Sequence, residues 1–482
     1  MSKNKRQAAV APDPFAEMLS GLWAALADGD VLRAEIETAR CCSIPHQLGI
    51  DQDKSDTIFI GMAKQGGRPE DAALLRLIML MGSPAIKRQA RAALGELTAR
   101  GVYPASWVTE AGKAEPVRAI RVYDRFGDYE LILVTFRYSA GEHTLVARID
   151  LTDRPAVLGL LLFDDGEPEL PGVGPFEATE EISLTGARTH LESALNDADS
   201  TASTIDPELV ALMPIAKSRL RRLPADAEPG KNPLYTSEQR AALVREFLAS
   251  PYAAQAVAQD EASTRFWAEI ATAWSSRVPG HPPLQAGPRT LRYLLKRYVP
   301  ATYPVTVEQR AQMADAVTAW ARWSAAQRDL DEERMLSLLP GTLADFPLSY
   351  DDEDAAGRRL YLADVVTSDA DVAGLRAVWD ARTIAIPPGE EREGQDDDLA
   401  ALDASDPDDR AAYLAADFAE CKVPDGLSRD EFLGVVRRVA EELWTGEPAS
   451  TREQAQALLA QDDLDRHDIM HVLVRHALSR ES

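Results

Sequence analysis

Three of the seven histidines in this 482-residue chain, His467, His471 and His476, fall within its last sixteen positions. On a helix, positions i and i+4 lie one above the other, so His467 and His471 can offer two imidazole nitrogens to one divalent ion such as zinc. His476 lies about 140° further round at 3.6 residues per turn and cannot join them. A site would need a third ligand from elsewhere, for which Asp463, Asp465 or a carboxylate of the acidic stretch 389–410 are candidates. The competing reading is architectural. Projecting this helix puts Ile469, Met470, Leu473 and Ala477 on one face, with His467 and His471 at its edge beside Val474 and Leu478. Edge histidines commonly hydrogen-bond across a helix interface. That reading leads, so the expectation is no cofactor, with a divalent metal as the alternative.

Other chemistry-bearing residues are weaker. Two basic runs stand out: Lys217, Arg219, Arg221 and Arg222, and then Arg289, Arg292, Lys296 and Arg297 interleaved with Tyr293 and Tyr298. The second run is a candidate partner-binding surface for RNA or an acidic protein. Its simpler reading is a helix with Leu291, Leu294, Leu295 and Tyr298 inside and cations outside. Asp150 with Asp153, Asp164 with Asp165, and Asp351 to Asp354 are carboxylate groupings expected in solvated turns. His143 reads as a hydrogen-bonded histidine at a sheet edge. Cys41 and Cys42 end an apolar helical pattern and read as packed thiols. Cys421 stands far from the histidines in sequence, and no spacing joins it to them. There is no CxxC, P-loop, HExxH, GxSxG or strand-linked GxGxxG.

The elements that would position these residues are mostly helices. Residues 12–110 carry apolar positions at spacings of three and four, which predicts four or five helices in an antiparallel array. Pro69 and Ser83-Pro84 mark helix starts. Between 116 and 164, four β-rich runs separated by turns predict a four-stranded antiparallel meander. Its second run, YELILVTFRY, is apolar on both faces, so helices before and after it are expected to cover both sides. Helices return at 178–224. Thr236/Gln239, Thr306/Gln309, Ser428/Glu431 and Ser450/Glu453 have capping-box spacing. Trp267, Trp274, Trp320 and Trp323 fall on buried helical stripes. The predicted fold is therefore mainly α, of α+β kind, with one small sheet. The domains are 12–224, 234–340 and 341–482, the last containing an acidic loop at 389–410.

Composition narrows the classes of function. There are 78 acidic against 52 basic residues, a net charge of −26. That balance argues against a general nucleic-acid binder and against docking on anionic lipid. No apolar run approaches the ~18–20 residues of a membrane span and no secretory leader is evident, so a cytoplasmic protein is expected. Lys occurs ten times, so Arg supplies 42 of the 52 basic residues, a skew produced by GC-rich codons.

The segments FGDYELILVTFRYSAGEHTLVARIDL, TLRYLLKRYVP with AVTAWARWSA, and DLDRHDIMHVLVRHAL together resemble a family of uncharacterised proteins from GC-rich bacteria. The last segment is also similar to the end of a small bacterial domain of unknown function. The resemblance covers most of the chain and implies the order of its parts, but no activity and no functional residue. The leading expectation is a non-catalytic interaction or scaffold protein that binds other proteins through helical surfaces. A metal-dependent, possibly hydrolytic enzyme using His467 and His471 comes second. A nucleic-acid-associated regulator using Arg289–Arg297 comes third.

Overall fold

A computed structural model of the chain describes residues 14–47, 52–164, 166, 176–198, 207–225, 235–277, 283–362, 365–366, 372–387, 402–419, 421–424, 427–459 and 464–481. The fold is mainly helical with one antiparallel sheet. Two compact units emerge: Met1–Arg125 with Tyr129–Pro229, and Phe126–Asp128 with Gly230–Ser482. The second contains both later sequence blocks and two apolar clusters, the first running on past 340 to Phe346, Tyr350 and Leu375 and the second beginning at Tyr361.

In the first unit, five helices come first: α1 (Pro14–Asp28), α2 (Val31–Gln47), α3 (Gln52–Gln65), α4 (Pro69–Met81) and α5 (Pro84–Ala99). Pro69 occupies the first turn of α4, and Ser83 Oγ accepts the Ile86 N–H at the start of α5. The strands are β1 (Glu115–Asp124), β2 (Tyr129–Tyr138), β3 (Gly141–Asp150), β4 (Ala156–Phe163) and β5 (Glu177–Ile182), ordered β4-β3-β2-β1-β5. The sheet thus has five strands, not the four expected over 116–164. The fifth, EATEEI, is an edge strand with no buried residue, so no apolar alternation announces it. It pairs with β1 from Ala119↔Ile182 to Asp124↔Glu177.

Helices α6 (Leu184–Ala198) and α7 (Pro207–Leu220) close this unit. Ile132, Val134 and Phe136 of β2 and Leu145, Ala147 and Ile149 of β3 share one core with the helices. The opposite face holds a separate small cluster of Val122, Leu133 and Val146. Across that face, Thr135 and Thr144 both donate to the Gly166 carbonyl. Helical cover on both sides, expected from the apolar alternation, is therefore found only on the first face among the described residues.

One end of the first face is polar. Arg219 of α7, fully buried, donates through Nη2 to Glu35 of α2 at 2.6 Å and through Nε to His143 Nε2 at 3.0 Å. Tyr138 and the Gly112 N–H also donate to Glu35, at 2.9 and 2.8 Å. His143 stacks beside Phe136 and Tyr138 on an inner strand, so it is not at a sheet edge as the sequence suggested. Arg219, from the first basic run, is inside. Burial works against its charge, and the Glu35 carboxylate beside it outweighs that, so its pKa is raised. Burial first, and then the Arg219 charge, push His143 down to about 3.

A prediction follows for pH. The folded state holds His143 neutral while the unfolded chain protonates it near pH 6.5. Stability from this site is therefore fully present above about pH 6.5 and falls as pH drops toward 3, because the unfolded state binds the extra proton. His143→Gln should flatten the decline in the urea midpoint between pH 7 and 4.5. An equal decline in the variant would contradict this.

The second unit begins with α8 (Ser237–Leu248), α9 (Ala254–Gln259) and α10 (Glu261–Ser275). Then come α11 (Pro288–Tyr293), a π-helical turn (Leu294–Tyr298), α12 (Val299–Thr302) and the long α13 (Val307–Gln327). Trp267 and Trp274 of α10 and Trp320 and Trp323 of α13 are almost wholly buried, as their spacing predicts. Trp267 Nε1 donates to the Gln309 carbonyl and Trp320 Nε1 to Thr272 Oγ1, which satisfies their buried N–H groups. In the β1–β2 turn that belongs with this unit, the Asp128 carboxylate accepts from the N–H groups of Arg289 and Thr290.

Beyond these lie α14 (Glu332–Leu336), α15 (Leu339–Tyr350), α16 (Glu353–Leu360), α17 (Val372–Ala385), α18 (Pro407–Asp417), α19 (Arg429–Thr445), α20 (Ala449–Leu459) and α21 (Arg466–Glu481). Thr236, Thr306 and Ser428 each form the expected capping box. Ser450 does not, because α20 already starts at Ala449 and places it inside the helix. Residues 389–401 of the expected acidic loop lie outside the described residues. Its last part is ordered helix start: Asp406 caps α18, and buried Arg410 pairs with Glu441 at 2.9 Å. Among the described residues no helix is long and apolar enough to cross a membrane.

Candidate metal centre

The last helix is built around a buried stripe. Ile469, Met470, Leu473 and Val474 of α21 are at most 2 % exposed and pack into the cluster that contains Tyr413, Phe418, Val436 and Leu443. Asp465 caps the helix by accepting the Asp468 N–H. This fixes the rotation of α21 and places His467 and His471, one turn apart, along the edge of the stripe. His476 is exposed and stands apart from them.

Both imidazoles aim Nε2 at the same thiol. Cys421 Sγ lies 3.4 Å from His467 Nε2 and 3.4 Å from His471 Nε2, and the two nitrogens are 3.0 Å apart. Cys421 belongs to the short segment after α18. That segment is held by Phe418, whose carbonyl accepts the Cys421 N–H and whose ring stacks on His467 at a centroid distance of 4.6 Å. Phe418 itself is fully buried. The three donor groups are partly buried and lie within 4.8 Å of one another.

These separations match what one tetrahedral zinc requires. With Zn–N near 2.05 Å and Zn–S near 2.3 Å, tetrahedral angles put two nitrogens about 3.3 Å apart and a nitrogen and sulfur about 3.6 Å apart. The observed triangle is tighter by only a few tenths of an ångström. A ligating imidazole must also be neutral. Burial, and then the charges of His467 and Arg475, hold His471 below the usual histidine pKa, which favours the neutral ring.

A carboxylate stands behind the histidines. Asp417 Oδ2 lies 3.5 Å from His467 Nδ1, on the side of the ring away from Cys421. Arg466 anchors that carboxylate at 2.9 Å while also donating to the Ile384 carbonyl at 3.0 Å and the Tyr413 hydroxyl at 3.2 Å. A metal-bound histidine usually has a carboxylate on its Nδ1 side, and Asp417 stands there at 3.5 Å as a charge neighbour.

Among the described residues the structure brings His467 and His471 together with Cys421. Asp465 is engaged as a helix cap, and Asp463 and residues 389–401 lie outside the described residues. Cys421 and Asp417 were missed because each is some fifty positions from its histidine. Only the packing of the α18–α19 connection against α21 joins them. The one sequence signal was that Cys421 is the chain's sole cysteine outside the Cys41-Cys42 pair. Those two are buried in the first unit, and burial, then the Glu37 charge, push the Cys41 thiol up to about 12.

Among the described residues the other candidates form no such constellation. Arg289, Arg292 and Arg297 are exposed, and Lys296 pairs with Asp345 at 2.9 Å. Asp352 caps α16, Asp351 pairs with Arg310, and Asp150 accepts from Thr152. No family model, no curated protein and no solved structure matches the chain, so the site must be read from its own geometry.

Proposed function

We propose that this chain is a metal-dependent protein whose second unit binds one zinc-type ion through Cys421 Sγ, His467 Nε2 and His471 Nε2. The observation that carries the reading is the convergence of three soft or borderline donor atoms, from two separate segments, at separations suited to a single ion. Cys and His donors favour zinc over magnesium or calcium, which take oxygen ligands. Three protein ligands leave a tetrahedral ion one position for an external molecule, the arrangement found where zinc activates water for hydrolysis rather than only bracing a fold. Asp417 then serves as the group that orients His467, and Arg466 as the group that orients Asp417. The interaction role expected from the helical surfaces takes second place, because among the described residues no comparable constellation supports it.

Elemental analysis of chelated and then zinc-reconstituted protein tests the proposal. One ion per chain is expected, with less than a tenth of that in a His467→Ala/His471→Ala variant of unchanged helicity. Metal-free protein after reconstitution, or equal zinc in the variant, would overturn it.

A further inference from the structure

The charges around the centre suggest what its open position accepts. A divalent ion with one thiolate and two neutral imidazoles keeps a net charge near +1. Among the described residues, the carboxylate of Asp417 beside His467 is already engaged by Arg466. Arg475 is exposed and sits one turn beyond His471 on the same edge of α21, continuing the line His467–His471–Arg475. Its side chain runs back toward the helix N-terminus, with Nε donating to the His471 carbonyl at 3.4 Å. Helical side chains lean over the preceding turn in this way, and here that turn carries a ligand. The Arg475 charge acts on the His471 ring, and so, with the opposite sign, do those of Asp468, which lies between the two histidines in the first turn, and of Asp417.

We infer that the external ligand is an oxyanion, with one oxygen on the metal and a second on the Arg475 guanidinium. A planar guanidinium offers two parallel N–H donors that match a carboxylate or phosphate edge. The inference rests on the metal reading and adds a substrate class to it: a molecule bearing a carboxylate or phosphate group. Arg475 acts as a specificity-determining residue and is not a metal ligand.

The test uses the full chain loaded with Co²⁺, whose visible absorption reports its ligands. Inorganic phosphate and acetate are titrated separately, with imidazole as a neutral ligand for comparison. Phosphate, acetate or both should shift the cobalt spectrum saturably. Arg475→Gln should weaken that anion about tenfold without changing the cobalt affinity or the response to imidazole, and Arg475→Lys should restore part of the loss. Cobalt bound without any anion-induced shift, or anion affinity unchanged in Arg475→Gln, would overturn the inference and leave the metal site standing. Failure to bind cobalt at all would remove both.

Discussion

Replacing Arg219 with Met is expected to destabilise the first unit by about 3–5 kcal/mol, the cost of removing one partner from a buried ion pair. Arg219 is 0 % exposed and Glu35 1 %, so no solvent screens what remains. Without the guanidinium, the Glu35 carboxylate keeps only the Tyr138 hydroxyl and the Gly112 N–H, and His143 Nε2 loses its donor. Neither loss is made good by water inside a packed core. The same logic predicts that a Glu35→Met/Arg219→Met pair recovers part of the loss, because it removes both buried charges while Tyr138, the Gly112 N–H and His143 still lose a partner. Urea unfolding of the four proteins measures this. A single-variant cost below ~1 kcal/mol, or a double variant as unstable as the sum of the singles, would show that the cluster is not coupled.

The second large effect concerns the metal. An ion that binds only the folded chain stabilises it by about 4 kcal/mol when its free concentration is a thousand times Kd. For a unit of this size, each kcal/mol moves Tm by roughly 2–4 °C. Zinc at that level is therefore expected to raise the melting temperature of the second unit by about 8–16 °C, and magnesium to leave it unchanged. Cys421→Ser, His467→Ala and His471→Ala should each abolish most of the shift, since two donors hold the ion far less tightly than three. Asp417→Asn should reduce metal affinity by about 10–100-fold, the usual cost of losing a group that orients a ligand. An identical zinc response in the parent and Cys421→Ser would mean that zinc acts elsewhere on the chain.

How much of this was written in the sequence depends on distance along the chain. Helices set by local spacing were legible: Thr306 and Ser428 announce their capping boxes, and Trp320 and Trp323 announce a buried stripe. The β1–β4 meander was legible from its turns and alternation. β5 was not, because an edge strand with only half of its backbone groups paired tolerates the polar run EATEEI. The His467–His471 pair was legible because helical periodicity alone brings i and i+4 together. Cys421 and Asp417 were not, since the packing of the α18–α19 connection against α21 depends on side chains such as Phe418, whose partners no local pattern reveals. The burial of Arg219 was not legible for the same reason: its partner Glu35 stands far away along the chain.

The measurement that bears most directly on the central claim is the absorption spectrum of the metal-free chain titrated with Co²⁺, run alongside Cys421→Ser. The account predicts saturation at one ion per chain, d–d bands of tetrahedral strength and a thiolate-to-cobalt band in the near ultraviolet. Cys421→Ser should lose the thiolate band. If His467, His471 and Cys421 instead only share protons in a hydrogen-bonded triangle, no saturable spectrum will develop and the parent and variant traces will coincide.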